Sequence, residues 1–295
     1  MGGPWNDLAG IRNGWARGLG EGGGGKAVQL GVFDGFDECD QLSGEVTAVR
    51  ISVYHAPEEF PTVTPEAPGP DCAIAIDVLR ATTTMCCALD AGADSVQAFS
   101  DLDELMATSE QWPADKRVRI GERGGKMMPG CDLGNSPLEV TGDRVGGCRL
   151  FMSTTNGTRA LNKIKPVDLV LTAALTNRQA VVDFLKERQP ATVAMVSSGW
   201  EGSYSLEDTV CAGAVIDGLL PVLPKDWMGN DEAVAAHALF LQWQESLDVL
   251  LEKASHGQRL LGLNNTADLE FCAKLDIVST IPIQSEPGIL VAHGS

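Results

Sequence analysis

An α/β fold, a mainly parallel sheet flanked by helices, is what the sequence predicts, on three observations. Short apolar segments of strand length alternate with segments of helical period along most of the chain. Several strand candidates run straight into polar loops rich in Gly or Thr, the arrangement found where open parallel sheets bind ligands. Hydrophobic residues make up 44% of the 295 positions and aromatic residues only 5%, so the core is aliphatic.

Taken in order, residues 1 to 48 stand outside this rhythm. "GEGGGG" and scattered polar residues show no period, and Gly-rich chain is costly to order. The stretch reads as a disordered extension, or as upstream sequence joined ahead of the true start, and the domain proper as 49 to 295. "VRISVYHAPEEF", 49 to 60, looks like an opening strand and turn. Further strands are expected near 72–76, 95–99, 118–121, 148–153, 168–172, 192–197, 276–278 and 281–284. Between them, "TTTMCCALDAG" is a helix stopped by Gly92, and "TNRQAVVDFLKERQP" is one that ends before Pro190. "LEDTVCAGAVIDGLLPVL" carries small and apolar residues at helical spacing. Residues 231 to 254 read as the longest amphipathic helix, with Val234, Leu241 and Leu251 on or near its apolar side.

Charge narrows the function. With 22 Lys and Arg against 40 Asp and Glu, the formal charge of -18 repels nucleic acid and anionic lipid. No stretch approaches the ~20 apolar residues that span a bilayer. A small anionic ligand on such a chain needs clustered Arg, oriented N–H groups or a divalent cation. The eight cysteines lack metal-type spacing, and Cys86-Cys87 falls inside a helix. Free thiols in a reducing cytosol fit this pattern, no apolar secretory segment opens the chain, and a cytoplasmic protein is expected. A homo-oligomer stays open.

Four constellations can carry chemistry. In "AIAIDVLRATTT" an apolar strand meets Asp77, Arg80 and then Thr82, Thr83 and Thr84 at a helix start, where N–H groups, hydroxyls and a guanidinium can bind phosphate oxygens. Its plainer reading is a capped helix. In "GERGGKMMPGCDLGNSPLEV", Glu122 and Arg123 sit among glycines that let a ligand approach the backbone, and the carboxylate suits a hard cation. In "STTNGTRAL", Ser153, Thr154, Thr155 and Asn156 precede Arg159, a second anion nest or a second cap. In "SSGWEGSYSLEDTVCAG", the Ser-Leu-Glu-Asp run suits a helix cap, whereas Glu201, between glycines, is the better ligand or acid/base. Neither a P-loop, nor a G-x-G-x-x-G after a strand, nor a G-x-S-x-G elbow is present. His237 reads as a helix-face residue, and His256 is placed to reach a site from a helix start.

In this order the blocks "IDVLRATTT", "GERGG", "DLGNSPLE", "TTNGTRAL", "GWEGSYSLEDTVCAGA", "SHGQRLL" and "DLEFCAKLD" resemble the 2-phosphosulfolactate phosphatase (ComB) family, from about Val49 onward. The resemblance implies a three-layer α/β/α fold with a mainly parallel or mixed sheet. It also implies a Mg²⁺-dependent phosphatase converting 2-phospho-3-sulfolactate to 3-sulfolactate and phosphate, a step toward coenzyme M in the family's namesakes. On that basis Asp77, Glu122 and Glu201 are the expected metal and catalytic groups. Arg80 and the Thr82, Thr83 and Thr84 helix start are expected to hold the phosphoryl group, and Arg123 and Arg159 the sulfonate and carboxylate. The nucleophile is Asp77 or metal-bound water. A phospho-aspartate of haloacid-dehalogenase type wants a second Asp two residues on, where Leu79 stands, which favours water. The rivals are a phosphatase for another 2-phosphorylated hydroxy acid and a non-catalytic anion-binding protein.

Overall fold

Continuous apolar runs make central strands, and alternation with helices makes them parallel. The computed structural model describes residues 49–294. Its strands are β1 (Arg50–Tyr54), β2 (Cys72–Ile76), β3 (Ser95–Ala98), β4 (Arg117–Arg123), β5 (Lys126–Met127), β6 (Arg149–Ser153), β7 (Val170–Ala173), β8 (Thr192–Ser197), β9 (Ile281–Glu286) and β10 (Ile289–His293). Its helices are α1 (Ala81–Asp90), α2 (Leu102–Ser109), α3 (Gly142–Val145), α4 (Gly157–Ile164), α5 (Arg178–Arg188), α6 (Leu206–Leu219), α7 (Asp231–Trp243), α8 (Leu247–Lys253), α9 (Ser255–Gly262) and α10 (Thr266–Cys272). The reading of residues 1 to 48 lies outside the described residues.

The strands form one mixed sheet in the order β1-β8-β2-β7-β9-β10-β3-β6-β4-β5. Two parallel blocks, β1-β8-β2-β7 and β3-β6-β4, are joined through the antiparallel pair β9 and β10. Side chains alternate between the faces. Ile74 and Ile76 of β2, with Leu171 and Met195, pack under Val182, Val215 and Phe240 of α5, α6 and α7. Ala73 and Ala75 turn the other way, toward Met85 and Leu89 of α1 and Leu161 and Ile164 of α4. Helices thus cover both faces, the expected α/β/α layering.

The second face also gathers Val118 and Ile120 of β4 with Ala73 and Ala75 of β2, although these strands stand ninth and third in the sheet order. At the usual strand spacing a flat sheet would hold them about 28 Å apart. The sheet therefore curls around α1 and α4, and the carboxyl end of β2 faces those of β4 and β6.

Three expectations need correction. Residues 276–278 form no strand: Asp276 has φ 58°, and the amides of Asp276 and Val278 bond Leu175 O and Thr176 O outside the sheet. The expected 231–254 helix is two, α7 and α8, broken where Ser246 takes φ -152°. No Gly or Pro marks the break, and packing imposes it by burying Leu247, Leu250 and Leu251. Val234 and Leu241 are not on the buried side of α7, being 45% and 49% exposed. Its buried stripe is Ala233, Ala236 and Phe240. The small residues let α7 approach α6 so closely that a Cβ on Gly213 would lie 2.0 Å from Ala236 O. The β5 and β10 strands were not anticipated.

Candidate active site

Asp77 leaves β2 as the chain turns into α1. Its Oδ1 accepts the Ala81 N–H at 3.1 Å, and its own N–H donates to Thr82 Oγ1 at 3.0 Å. The three threonines behind it are fully buried and spoken for. Thr82 Oγ1 donates to Ala173 O at 2.8 Å, Thr83 Oγ1 to Val78 O at 2.8 Å, and Thr84 Oγ1 to Asn135 O at 3.2 Å. The N–H groups of Thr82 and Thr84 go to Asp77 O and Arg80 O. Thr82, Thr83 and Thr84 therefore scaffold the loop that carries Asp77, because their hydroxyls are the available donors for carbonyls buried at the strand end.

Arg80 is buried and paired with Asp268 of α10, whose other oxygen accepts from Ser136 Oγ at 2.6 Å. Glu122, near the end of β4, is buried and accepts from the Gly125 N–H, from Thr155 Oγ1 at 3.2 Å and from Thr155 N–H at 3.3 Å. It thereby fixes the 154–156 loop that follows β6. Asp77, Arg80, Glu122, Thr154, Thr155, Asn156 and Glu201 line one cavity of about 120 Å³ at these strand ends. Glu201 is exposed at its rim, with φ 50°. Arg123 does not line the cavity: it donates to Glu122 O at 2.7 Å and to the buried Ser153 Oγ at 2.9 Å. Arg159 does not either, and pairs with Glu58. Among the described residues no three His, Cys, Asp or Glu side chains are grouped to hold a metal alone.

The structure gives further residues a place at the site, two of which the sequence reads as a helix cap. Asp208 of α6 accepts the Val78 N–H at 2.9 Å and the Ser198 N–H at 3.2 Å, tying the ends of β2 and β8 together. Glu207 beside it is buried, with Oε1 3.4 Å from His256 Nδ1 and Oε2 without a partner. The His256 ring stacks on Trp200 at 4.2 Å between centroids, and both line the cavity with Arg259 and Asn135. Among the described residues the buried amide oxygens of Asn135 and Asn156 have no partner. "SHGQRLL" and "DLEFCAKLD" had carried the resemblance; a His at a helix start and an Asp opening an apolar helix were the available signals.

Burial dominates the electrostatics. It pushes the Asp77 carboxyl up to about 6, with Glu207 and Glu122 adding to the rise and His256 and the Ala81 N–H opposing it. Asp208 is pushed well above the usual carboxylate range, first by burial and then by Glu207 and Asp77. Gly157, the first residue of α4, makes the packing against Asp77 feasible: a Cβ there would lie 2.7 Å from Asp77 Oδ2 and 2.4 Å from the Ala81 Cβ. A larger cavity, about 370 Å³, lies by β1 and is lined by residues such as Tyr54, Phe60 and Thr62 without a carboxylate. The concentration of buried titratable groups makes the smaller one the candidate active site.

The family model described as 2-phosphosulpholactate phosphatase matches residues 54–287. The chain belongs to the 2-phosphosulpholactate phosphatase family. A relative from Cyanothece sp., named probable 2-phosphosulfolactate phosphatase, is 55% identical over 248 residues, 83% of this chain and 100% of its own length. Similarly named relatives from Thermosynechococcus vestitus and Synechocystis sp. are 56% and 54% identical, covering 82% and 83% of this chain and 99% and 100% of theirs. The 2-phosphosulpholactate phosphatase match takes in every strand end that lines the cavity, from Asp77 to the loop bearing Glu201, and also His256, Arg259 and Asp268.

Proposed function

We propose that the chain is a Mg²⁺-dependent phosphatase that hydrolyses 2-phospho-3-sulfolactate to 3-sulfolactate and inorganic phosphate. The observation that carries this reading is the cavity itself, where buried Asp77, cationic Arg80 and the Glu207–His256 pair meet at the strand ends of a chain whose relatives bear that name. The donor set fits Mg²⁺. It is made of oxygens, Asp77 carries a buried charge that burial disfavours, and the amide oxygen of Asn156, which lines the same cavity, has no partner among the described residues. Mg²⁺ is bound through one or two carboxylates, waters and substrate phosphate, so three clustered acids are not required. Asp77 and Asn156 would hold the ion, with Glu201 at the rim, while Glu122 keeps the 154–156 loop in place. Bound there, the ion would draw charge from the phosphoryl oxygens and from water.

The chain's own groups divide the remaining work. Arg80, oriented by Asp268, stabilises charge on the transferring phosphoryl group. His256, held by Glu207, gives the proton to the leaving C2 oxygen. The seven described cysteines are free thiols, which supports a reducing, cytosolic setting. No helix of the described residues is long and apolar enough to cross a membrane. Phosphate release from a panel of 2-phosphorylated hydroxy acids, with and without Mg²⁺, tests the proposal. Metal-dependent turnover fastest on 2-phospho-3-sulfolactate is expected, and no release from any member would overturn it.

A further inference from the structure

We propose that Arg259 is the specificity residue of this site, its guanidinium taking the sulfonate of the substrate while the phosphoryl group goes inward to Asp77 and Arg80. The inference rests on the phosphatase reading above and deepens it.

A substrate with a phosphoryl group on C2 and a sulfonate on C3 needs a second cation close to the first. The cavity is lined by three groups able to carry positive charge: Arg80, His256 and Arg259. Arg80, oriented by Asp268, is assigned to the phosphoryl group, and Glu207 faces His256, which is assigned to the C2 oxygen. Among the described residues Arg259 makes no ion pair, and its one side-chain hydrogen bond runs from Nη2 to Gly124 O at 2.8 Å. A guanidinium has five N–H donors in a fixed fork, so the rest of this one remains available. The two arginines the sequence pointed to are committed elsewhere, Arg123 to Glu122 O and Ser153 and Arg159 to Glu58.

Its placement suits the task. Arg259 and His256 are three residues apart on α9, hence on one face and separated by about 4.5 Å along the axis. One helix therefore presents a proton donor for the C2 oxygen and an anchor for a group on the next carbon. The turn beneath is fitted to the guanidinium: Gly124 has φ 59°, and a Cβ there would lie 3.0 Å from Arg259 Nη2. Arg259 is exposed at the mouth, where the part of the ligand that distinguishes one phospho-hydroxy acid from another would sit. On a chain of net charge -18, a free guanidinium at the entrance also offsets the repulsion of an incoming polyanion that carries phosphate, carboxylate and sulfonate.

The test compares 2-phospho-3-sulfolactate with 2-phospholactate, which lacks the sulfonate, in wild type, Arg259→Gln and Arg259→Lys at saturating Mg²⁺. The ratio of kcat/KM, sulfonated over unsulfonated, is expected to fall about 10- to 100-fold in Arg259→Gln, through KM more than kcat, with Arg259→Lys between. An unchanged ratio would overturn the assignment, whether activity on both substrates drops together or not at all. Calorimetry with 3-sulfolactate against lactate separates this from the phosphatase reading, because it needs no turnover. A wild-type preference for 3-sulfolactate that Arg259→Gln loses supports Arg259 even if no phosphate is released. A preference that survives the substitution sinks it. Thermal melting of both variants, expected to match wild type for an exposed position, keeps misfolding apart from lost recognition.

Discussion

At the residue scale the site turns on one buried carboxylate. Asp77→Asn should abolish phosphate release, whether Asp77 holds the ion or attacks phosphorus, and near-normal turnover would remove it from the mechanism. The same substitution carries a signature in stability. With its carboxyl pushed up to about 6, the folded chain keeps a proton that the unfolded chain has already lost near pH 5. Stability therefore falls as pH rises from ~4 through ~6, by up to ~3 kcal/mol. With divalent metal chelated, Asp77→Asn should unfold at higher urea than wild type at pH 8, and the gap should close toward pH 4. A gap that widened in acid would reverse the assigned cause. Asp77 was legible because a carboxylate ending an apolar strand asks for a reason. The threonines beside it misled for a physical reason: a hydroxyl suited to a phosphate oxygen suits a buried carbonyl equally well, and only coordinates show which is nearer. His256 faced the opposite problem, since its meaning depends on Glu207, 49 positions away in sequence and 3.4 Å away in space.

At the element scale two glycines set how closely neighbours meet. Gly157→Ala would push a methyl into Asp77 Oδ2 and the Ala81 side chain, displacing the β2–α1 turn. A loss of at least about tenfold in kcat with ~1–3 kcal/mol of stability is expected, read from steady-state kinetics and urea midpoints. Gly213→Ala meets the Ala236 carbonyl, where backbone has little room to yield, and should destabilise by about 3 kcal/mol without changing KM in whatever fraction stays folded. The central strand β2 was legible because both its faces are buried and its sequence, CAIAI, is an uninterrupted apolar run. The break between α7 and α8 was not, since Gln244, Glu245 and Ser246 are unremarkable in a helix and only the packing of Leu247 and Leu250 requires the turn. The α7 stripe misled similarly: Val234 and Leu241 look like core residues, but the close approach to Gly213 selects Ala233 and Ala236.

At the scale of the molecule, the family match and full-length relatives account for residues from 54 onward, and a protein beginning at Val49 should keep kcat/KM within about twofold of the full chain. A large loss would give residues 1 to 48 a part in the activity. The curl that brings β2 opposite β4 was not legible, because it depends on which strands occupy the middle of the sheet rather than on any local pattern. Those middle strands, β9 and β10, are the last in the chain, and among the described strands they are the ones that pair the two parallel blocks within the sheet. Synthesis runs from the N-terminus, and pairings between distant segments form late. A ribosome that has reached residue 280 has therefore made Asp77, Glu122, His256, Arg259 and Asp268, yet the sheet behind them still lacks the hairpin that pairs its two blocks. The nascent chain carries every group of the site before the sheet that frames it is closed, and the frame is completed by its final strands.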